Sequence, residues 1–509
     1  MQNSDDEADE LRRFLPAGFG KQTAKHDPEP FLKKCLRKDY IERINKETEK
    51  NSGDDSSSDD ELEDLPISHD LLLKEHNKII SALAIDSSGV RLATGSHDFN
   101  LDIWDFSGMN PLHLRPFRSL EPTESHLVRA LDFYPGSGDL LLTATTSSQA
   151  KLYTRDGIEM GECVRGDMYI RDLNNTSGHL AEITAASFHP SSSAERFATG
   201  SVDGTIRIWD VNKYRRTQDH VIIVKPSRLN PRVKPRVSSM SWRPVDGKYI
   251  AGVSTDGSLS YWSASGPYSR PVASIPDAHV AESWTSSVLY ADENTIVTRG
   301  SDLSGGCVKL WDVRSFKSPV LIRSGLLNSI PETNIDLSPD GRYLVTGTSS
   351  FDSSSKGHVH ILDKSDLSTV TQLALDDSTQ FGDAEQKQPS ASLSPVTVKW
   401  SSTLNQIIVG STTGSVHVFF SRGVSRRGAI SVLEKPPKVR HIDDDITADI
   451  DLVAASVGQE GQQSSGASRR KTQAKLQNPE MPVARRMHGE VRVVDYDEPE
   501  VKQKKRRIL

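Results

Sequence analysis

One unit recurs along this chain, and it fixes the fold more tightly than any single motif. Val90–Phe106 reads VRLATGSHDFNLDIWDF and Phe197–Val211 reads FATGSVDGTIRIWDV. Tyr249–Trp262 (YIAGVSTDGSLSYW) and Val297–Val313 (VTRGSDLSGGCVKLWDV) follow the same order. Each has an apolar strand, a small-residue step, an Asp in a turn, and a second apolar strand ending on Trp. The turn Asp precedes the Trp by six residues in three copies: Asp98 and Trp104, Asp203 and Trp209, Asp256 and Trp262. In the fourth, Asp302 and Trp311, three more residues enlarge the turn. Weaker copies place Tyr153, Leu362 and Phe419 at the Trp position. The marker series Trp104, Tyr153, Trp209, Trp262, Trp311, Leu362, Phe419 advances by 49, 56, 53, 49, 51 and 57 residues. A fixed period of this length signals stacked supersecondary units, none able to bury its own faces alone.

The alternation in Thr205-Ile206-Arg207-Ile208-Trp209 has period two, the signature of a strand. Asp203-Gly204 supplies a tight hairpin turn, because Gly accepts positive φ without steric cost. Seven such units predict an all-β fold: a seven-bladed β-propeller over 65–424, flanked by disordered tails at 1–64 and 425–509. Leu65–Leu73 (LPISHDLLL) is expected to add the outermost strand of the last blade and so close the ring. A hydrogen-bonded set of His, Ser/Thr, Asp and Trp is expected inside the blades. His76, His179 and His279 occupy the His position, and His179, Ser201, Asp203 and Trp209 form the fullest set. Recurrence at blade spacing reads as packing rather than catalysis, since a buried polar set must satisfy itself internally.

The flanks differ in chemistry. Residues 1–64 hold 18 acidic against 11 basic residues, a net of −7 that equals the net charge of the whole chain. The remainder is therefore balanced. Within this arm, Phe31, Leu32, Cys35, Leu36, Tyr40, Ile41 and Ile44 follow helical spacing, with Asp27 as N-cap and Pro28 in the first turn. An amphipathic helix near 31–44 fits docking to a partner groove or packing on its own propeller. Asp54–Asp64 (DDSSSDDELED) places an acidic residue three positions after each of Ser56, Ser57 and Ser58. That pattern fits either acid-directed phosphorylation or a plain solvated acidic stretch. The C-terminal run Lys502, Lys504, Lys505, Arg506, Arg507 reads as a nuclear import signal or a nucleic-acid contact, import being favoured. The basic segment Lys225–Arg236 (KPSRLNPRVKPR) lacks interleaved aromatics for base stacking.

Catalytic and cofactor signatures are missing. There is no phosphate-binding Gly-rich loop, no H-E-x-x-H and no G-x-S-x-G. Cys35, Cys163 and Cys307 are widely separated, which fits reduced thiols rather than a zinc or disulfide framework. No catalytic, cofactor or metal residue is expected. The start of the chain lacks the basic and apolar regions of a secretory signal, and no stretch has transmembrane length.

Several segments resemble the WD repeat-containing protein 70 family, the gastrulation-defective homologues. They are Gly166–His179 (GDMYIRDLNNTSGH), Leu65–His69 (LPISH), Thr146–Tyr153 (TSSQAKLY), Thr298–Gly300 (TRG), Val308–Arg314 (VKLWDVR), Arg323–Leu326 (RSGL) and Gly18–Lys21 (GFGK). The resemblance implies a nuclear WD-repeat scaffold without enzymatic activity, a monomer working within a larger complex. It further implies a substrate receptor of a cullin-4 ubiquitin ligase in the DNA-damage response at chromatin, or alternatively a component of pre-mRNA splicing complexes. Trp311, Asp312 and Arg314 fit the Trp-Asp-x-Arg element by which such receptors meet the ligase adaptor, and Phe31, Leu32 and Leu36 resemble the helix they insert into it. Trp104-Asp105-Phe106-Ser107 and Trp209-Asp210-Val211-Asn212 lack the Arg, so a frequent second copy is absent.

Overall fold

The computed structural model describes residues 28–40, 65–349 (except 171, 192, 228, 230, 284 and 304), 357–377 and 393–436. These residues form seven four-stranded antiparallel sheets. Six are built from consecutive strands, within 80–120, 128–162, 183–223, 237–275, 287–324 and 335–374. The seventh takes three strands from 395–420 and borrows His69–Lys74 as its outermost strand, in the register Leu71 to Val418. The first and last parts of the propeller thus share one sheet, and the ring closes as expected.

Each blade places its marker on the third strand at one register. Trp104 lies opposite Leu92, Tyr153 opposite Leu141, Trp209 opposite Phe197 and Trp262 opposite Ile250. Trp311, Leu362 and Phe419 face Ile296, Leu344 and Ile407 in the same way. All seven markers are buried. The apolar core divides into seven clusters, one at each junction between neighbouring blades. Burial at both faces is what a single sheet of this kind cannot achieve alone.

Polar bonds between innermost strands add direction to this packing. Thr184 Oγ1 donates to Val237 O at 2.7 Å and Asn334 Nδ2 to Val398 O at 2.9 Å. Asp132 accepts the Phe188 N–H and Asp336 the Trp400 N–H, both at 2.8 Å. At the closure, Thr397 Oγ1 donates to Ile80 O at 3.3 Å. The hairpin between the second and third strands turns at Gly204, whose φ is +81° and where a Cβ would stand 2.7 Å from Pro235 O. Blade one makes the same turn with Phe99, a non-glycine residue held at φ +76°.

Both flanks depart from expectation where they meet the ring. The stripe near 31–44 does not continue as one helix. Helix α1 spans Glu29–Cys35 with Pro28 at its N-cap in place of the expected Asp27, which lies outside the described residues, and stops because Leu36 is extended (ψ 129°) and bridges His69. Leu32 and Cys35 are buried against blade seven. The boundary at 424 also moves: a second helix, α2 (Ala429–Glu434), buries Ala429, Ile430, Val432 and Leu433 in the same cluster. That cluster includes Leu71, Val418 and Phe420 of blade seven, with Trp104 and Phe106 of blade one. Arg422 and Glu29 form an ion pair at 2.7 Å, tying α1 to the segment after the last strand. Segments from both flanks therefore cover the junction where the ring closes. Among the described residues no helix is long and apolar enough to cross a membrane.

Candidate interaction surfaces

A catalytic reading of this fold would rest on its buried histidines. In blade three, Trp209 Nε1 donates to Thr199 Oγ1 at 2.8 Å, and Thr199 Oγ1 lies 2.7 Å from His179 Nε2. His179 Nδ1 lies 3.1 Å from Asp203 Oδ2. The consistent assignment is a relay of donors: indole N–H to Thr oxygen, Thr O–H to Nε2, and Nδ1–H to the carboxylate. Blade one repeats it through Trp104, Thr94, His76 and Asp98. Blade five keeps Trp311, Thr298 and His279, with Cys307 Sγ 3.7 Å from His279 Nδ1 in place of the carboxylate. All three histidines are buried. The shared hydroxyl is Thr199, so the assignment of Ser201 to this role is corrected. Ser201 instead donates to Glu182 O at 2.8 Å and accepts from the Asp203 N–H at 3.2 Å, bracing the turn.

Burial acts first on the pKa of each histidine, and the residue across from the central Thr adds to or opposes it. It is Asp102 in blade one, Arg207 in blade three and Lys309 in blade five. Burial disfavours the His76 cation, but its bond to Asp98 and the nearby Asp102 raise its pKa above the usual value. In blade three burial lowers the pKa of His179 and Arg207 adds to the effect. In blade five burial and Lys309 push His279 down to about 3. For Asp203, burial opposes ionisation, yet bonds from His179 and Thr205 hold the carboxyl well below the usual range.

The central channel has a volume of about 530 Å³ and is lined by the innermost strands. Many of its lining residues are Ala, Ser and Thr. Two ion pairs lie along it: Glu332 of the segment before blade six bonds Arg129 of blade two and lies 3.3 Å from His97, and Lys399 lies 3.4 Å from Asp336. Among the described residues, no group of three or more His, Cys, Asp or Glu is arranged to hold a metal.

The two ends of the ring present different chemistry. The marker end of each third strand, Trp-Asp in blades one, three and five, lies opposite the end that carries the hairpin turn. Asp312 Oδ1 accepts the Arg314 N–H at 2.9 Å and caps one 3-10 turn, Val313–Ser315. The Arg314 side chain is 75% exposed. Asp105, Asp210 and Asp363 make the same turn, but display Ser107, Asn212 and Ser365 instead. Trp311 is buried inside the blade, so the surface contact offered by this element is Arg314 and not the Trp. Phe31 is partly buried against the core and Leu32 fully, so α1 does not offer a free apolar face. Leu36 is half-buried. Ser56, Ser57, Ser58, Lys502, Lys504, Lys505, Arg506 and Arg507 lie outside the described residues.

On the opposite end, buried arginines hold the loops that link blades. Arg207, fully buried, donates to Thr176 O at 2.9 Å, Thr176 Oγ1 at 2.7 Å and Leu173 O at 3.2 Å. Arg299, also fully buried, donates to Leu327 O at 3.1 Å and Gly347 O at 2.7 Å. Sequence reasoning passed over both. The available signal was a charge at an inward-facing position of a strand, as in Ile206-Arg207-Ile208.

Comparison with known proteins agrees with this architecture. The WD domain, G-beta repeat family matches residues 69–105 and 171–210. The chain is 36% identical to WD repeat-containing protein 70 of Xenopus laevis over 372 residues, 73% of this chain and 56% of that protein. It is 32% identical to the Homo sapiens protein of that name over 366 residues, 72% of this chain and 52% of the other. The gastrulation defective protein 1 homolog of Drosophila melanogaster is 29% identical over 434 residues, 84% of this chain and 62% of that protein. The chain spans about half the length of the vertebrate relatives it matches.

Proposed function

Because the chain belongs to the WD repeat-containing protein 70 family, we propose that it acts in the nucleus as a substrate receptor of a cullin-4 ubiquitin ligase, serving the DNA-damage response. The WD-repeat propeller is a protein-interaction scaffold fold, and this one carries no catalytic family signature. The reading rests on Arg314. A guanidinium carries five donors in a planar fork and suits recognition of carboxylates and carbonyls on a partner surface. Here the Asp312 cap fixes its backbone before any partner arrives, which lowers the entropy lost on binding. The basic run Lys502–Arg507 supports nuclear import. The receptor's adaptor contact is assigned to Arg314 alone, since α1 is already engaged with its own ring.

Binding of the purified full chain to the ligase's propeller-built adaptor tests this. Arg314→Ala should weaken binding about tenfold or more, as truncation of a central Arg contact commonly does. Arg314→Lys should restore little, because the fork is lost. Thermal stability should not change, since the side chain is exposed. Unaltered adaptor affinity in Arg314→Ala would remove the basis for the receptor assignment and leave the scaffold role alone.

A further inference from the structure

Two loops flank the second-to-third-strand turn of blade three, on the face opposite Arg314. The first runs from Gly166 to Gly178. Its neck is closed by backbone packing, since a Cβ at Gly178 would lie 2.0 Å from Val164 O and one at Gly166 would lie 2.3 Å from Gly178 O. Arg207 holds its interior through the three bonds given above, and Gln218 Nε2 donates to Thr176 O at 2.6 Å. At its apex, Asp167 Oδ1 accepts the Tyr169 N–H at 2.9 Å. The apex projects Met168, 68% exposed, and Tyr169, 92% exposed.

The second loop, 224–236, meets the same turn from the other side. Val224 N donates to Gly204 O at 2.9 Å, while Asp203 on the near side accepts the Leu180 N–H at 3.2 Å. Its base is fixed to blade four. Ser227 N donates to the buried Asp256 at 2.9 Å and Ser227 Oγ to Pro276 O at 3.0 Å. Pro226, Pro231 and Pro235 restrict the chain further. This loop exposes Leu229 (61%). It carries five basic residues and no acidic one. Lys225, Arg232, Lys234 and Arg236 are exposed or rim positions, and none of these four enters an ion pair among the described residues.

Met168 and Tyr169 are consecutive large side chains held out in water on an anchored loop, and Leu229 is held out on the loop at the other side of the same turn; apolar exposure of this kind beside a turn marks an interaction site where it is contiguous. We propose that this face of blade three, carried by Met168, Tyr169, Leu229 and the cations Lys225, Arg232, Lys234 and Arg236, docks an acidic peptide segment with large apolar side chains. The uncompensated cations call for an anionic partner and steer its approach. The apolar side chains decide between anionic partners. Single-stranded nucleic acid needs successive aromatic platforms, whereas Met168 and Leu229 have no ring to stack on and match aliphatic or aromatic anchors of a peptide. Tyr and Arg are also the residues over-represented among dominant contacts of protein interfaces.

The surface is independent of Arg314, so its test does not share an outcome with the adaptor experiment. Fluorescence anisotropy of the purified full chain would use three labelled short peptides. One alternates Glu with Leu and Phe, one has Ala at the apolar positions, and one has Lys at the acidic positions; an oligouridylate of similar length is the fourth probe. The first peptide should bind best. Met168→Ala with Tyr169→Ala, and separately Arg232→Glu with Lys234→Glu, should each weaken it about tenfold, with circular dichroism and thermal midpoint unchanged. Leu229→Ala provides an independent single change in the same direction. The proposal is overturned if the first peptide fails to bind, or if it binds all variants alike. It is equally overturned if oligouridylate binds more tightly than the peptide and is lost in the charge-reversed variant, which would make this a nucleic-acid surface.

Discussion

Replacing Thr199 by Val removes one hydroxyl from the blade-three relay and little else. The side chain is fully buried, and Val keeps its shape and β-branching. Two groups lose their partner at once: the Trp209 indole N–H, bonded at 2.8 Å, and His179 Nε2, at 2.7 Å. Each buried orphan costs about 1–3 kcal/mol, so the loss should be roughly 3 kcal/mol after allowance for partial relaxation. Thr346→Val in blade six is the control. Thr346 occupies the same register, but its marker is Leu362 and its hydroxyl donates to Asn334 O at 2.9 Å. That single bond is worth about 1 kcal/mol. A natural comparison lies in blade four, where Gly252 stands at the Thr position and the buried Trp262 indole N–H has no hydrogen-bond partner among the described residues. One orphan is therefore tolerated; the claim concerns two in one relay. Urea unfolding of the full chain, followed in parallel by tryptophan fluorescence and far-UV circular dichroism, measures the difference, and coincident transitions validate the comparison. If the two variants lose stability to within about 0.5 kcal/mol of each other, the relay is not the coupled unit described here.

Further outcomes follow from buried groups. The folded His279 pKa is lowered to about 3 against about 6.5 unfolded. As pH falls below the unfolded value the unfolded chain binds a proton that the folded chain refuses, so stability should drop by about 1.4 kcal/mol per pH unit, or about 2 kcal/mol between pH 6.5 and 5. His279→Gln should flatten that slope in urea titrations, and an unchanged slope would place the acid lability elsewhere. His76 has the opposite sign: its raised pKa makes its contribution complete below the unfolded value and lost as pH rises through the folded one. At the ring closure, Leu32→Ala in α1 and Leu433→Ala in α2 should each cost about 2–4 kcal/mol as core truncations, with faster amide exchange at the junction of blades seven and one; a loss under about 0.5 kcal/mol would mean the helix concerned merely rests on the ring.

The strands were legible because their period of two and the turn residues agree with one another at every repeat. What escaped was set by contacts between distant residues. Thr199 and Ser201 sit on the same side of a strand in a Thr-Gly-Ser run, and only the register that sets Phe197 opposite Trp209 decides which hydroxyl reaches the indole. The stripe from Phe31 to Ile44 looks continuous on paper, but Leu36 finds a backbone partner in His69, and that bridge outweighs helix propagation in so short a segment. Helix α2 has six residues, too few to be stable alone, and its four apolar residues, interrupted by Ser431, are too short a stretch to carry a periodic signal. Arg314 was legible as a motif, while the burial of its neighbour Trp311 follows from the blade marker itself.

The slot across from the central Thr links the two levels of this molecule. Every blade needs its third strand for the ring, yet the residue there is free to vary: Asp102, Arg207, Lys309 and His360 occupy it in blades one, three, five and six. A buried cation is costly unless its protons find acceptors. Arg207 finds them in Thr176 and Leu173, and Lys309 in Ala278 O at 2.8 Å and Asp302 at 3.5 Å. In each case the acceptor belongs to a loop that links blades or to a turn beside it. The same cation that adds to the burial-driven lowering of the histidine pKa inside the blade therefore holds the backbone displayed above it. A ring of repeated sheets acquires distinct surfaces in this way: the hydrogen-bonded relay keeps the sheets alike, and one variable inward residue decides which loop is held and which side chains, such as Tyr169, are held out.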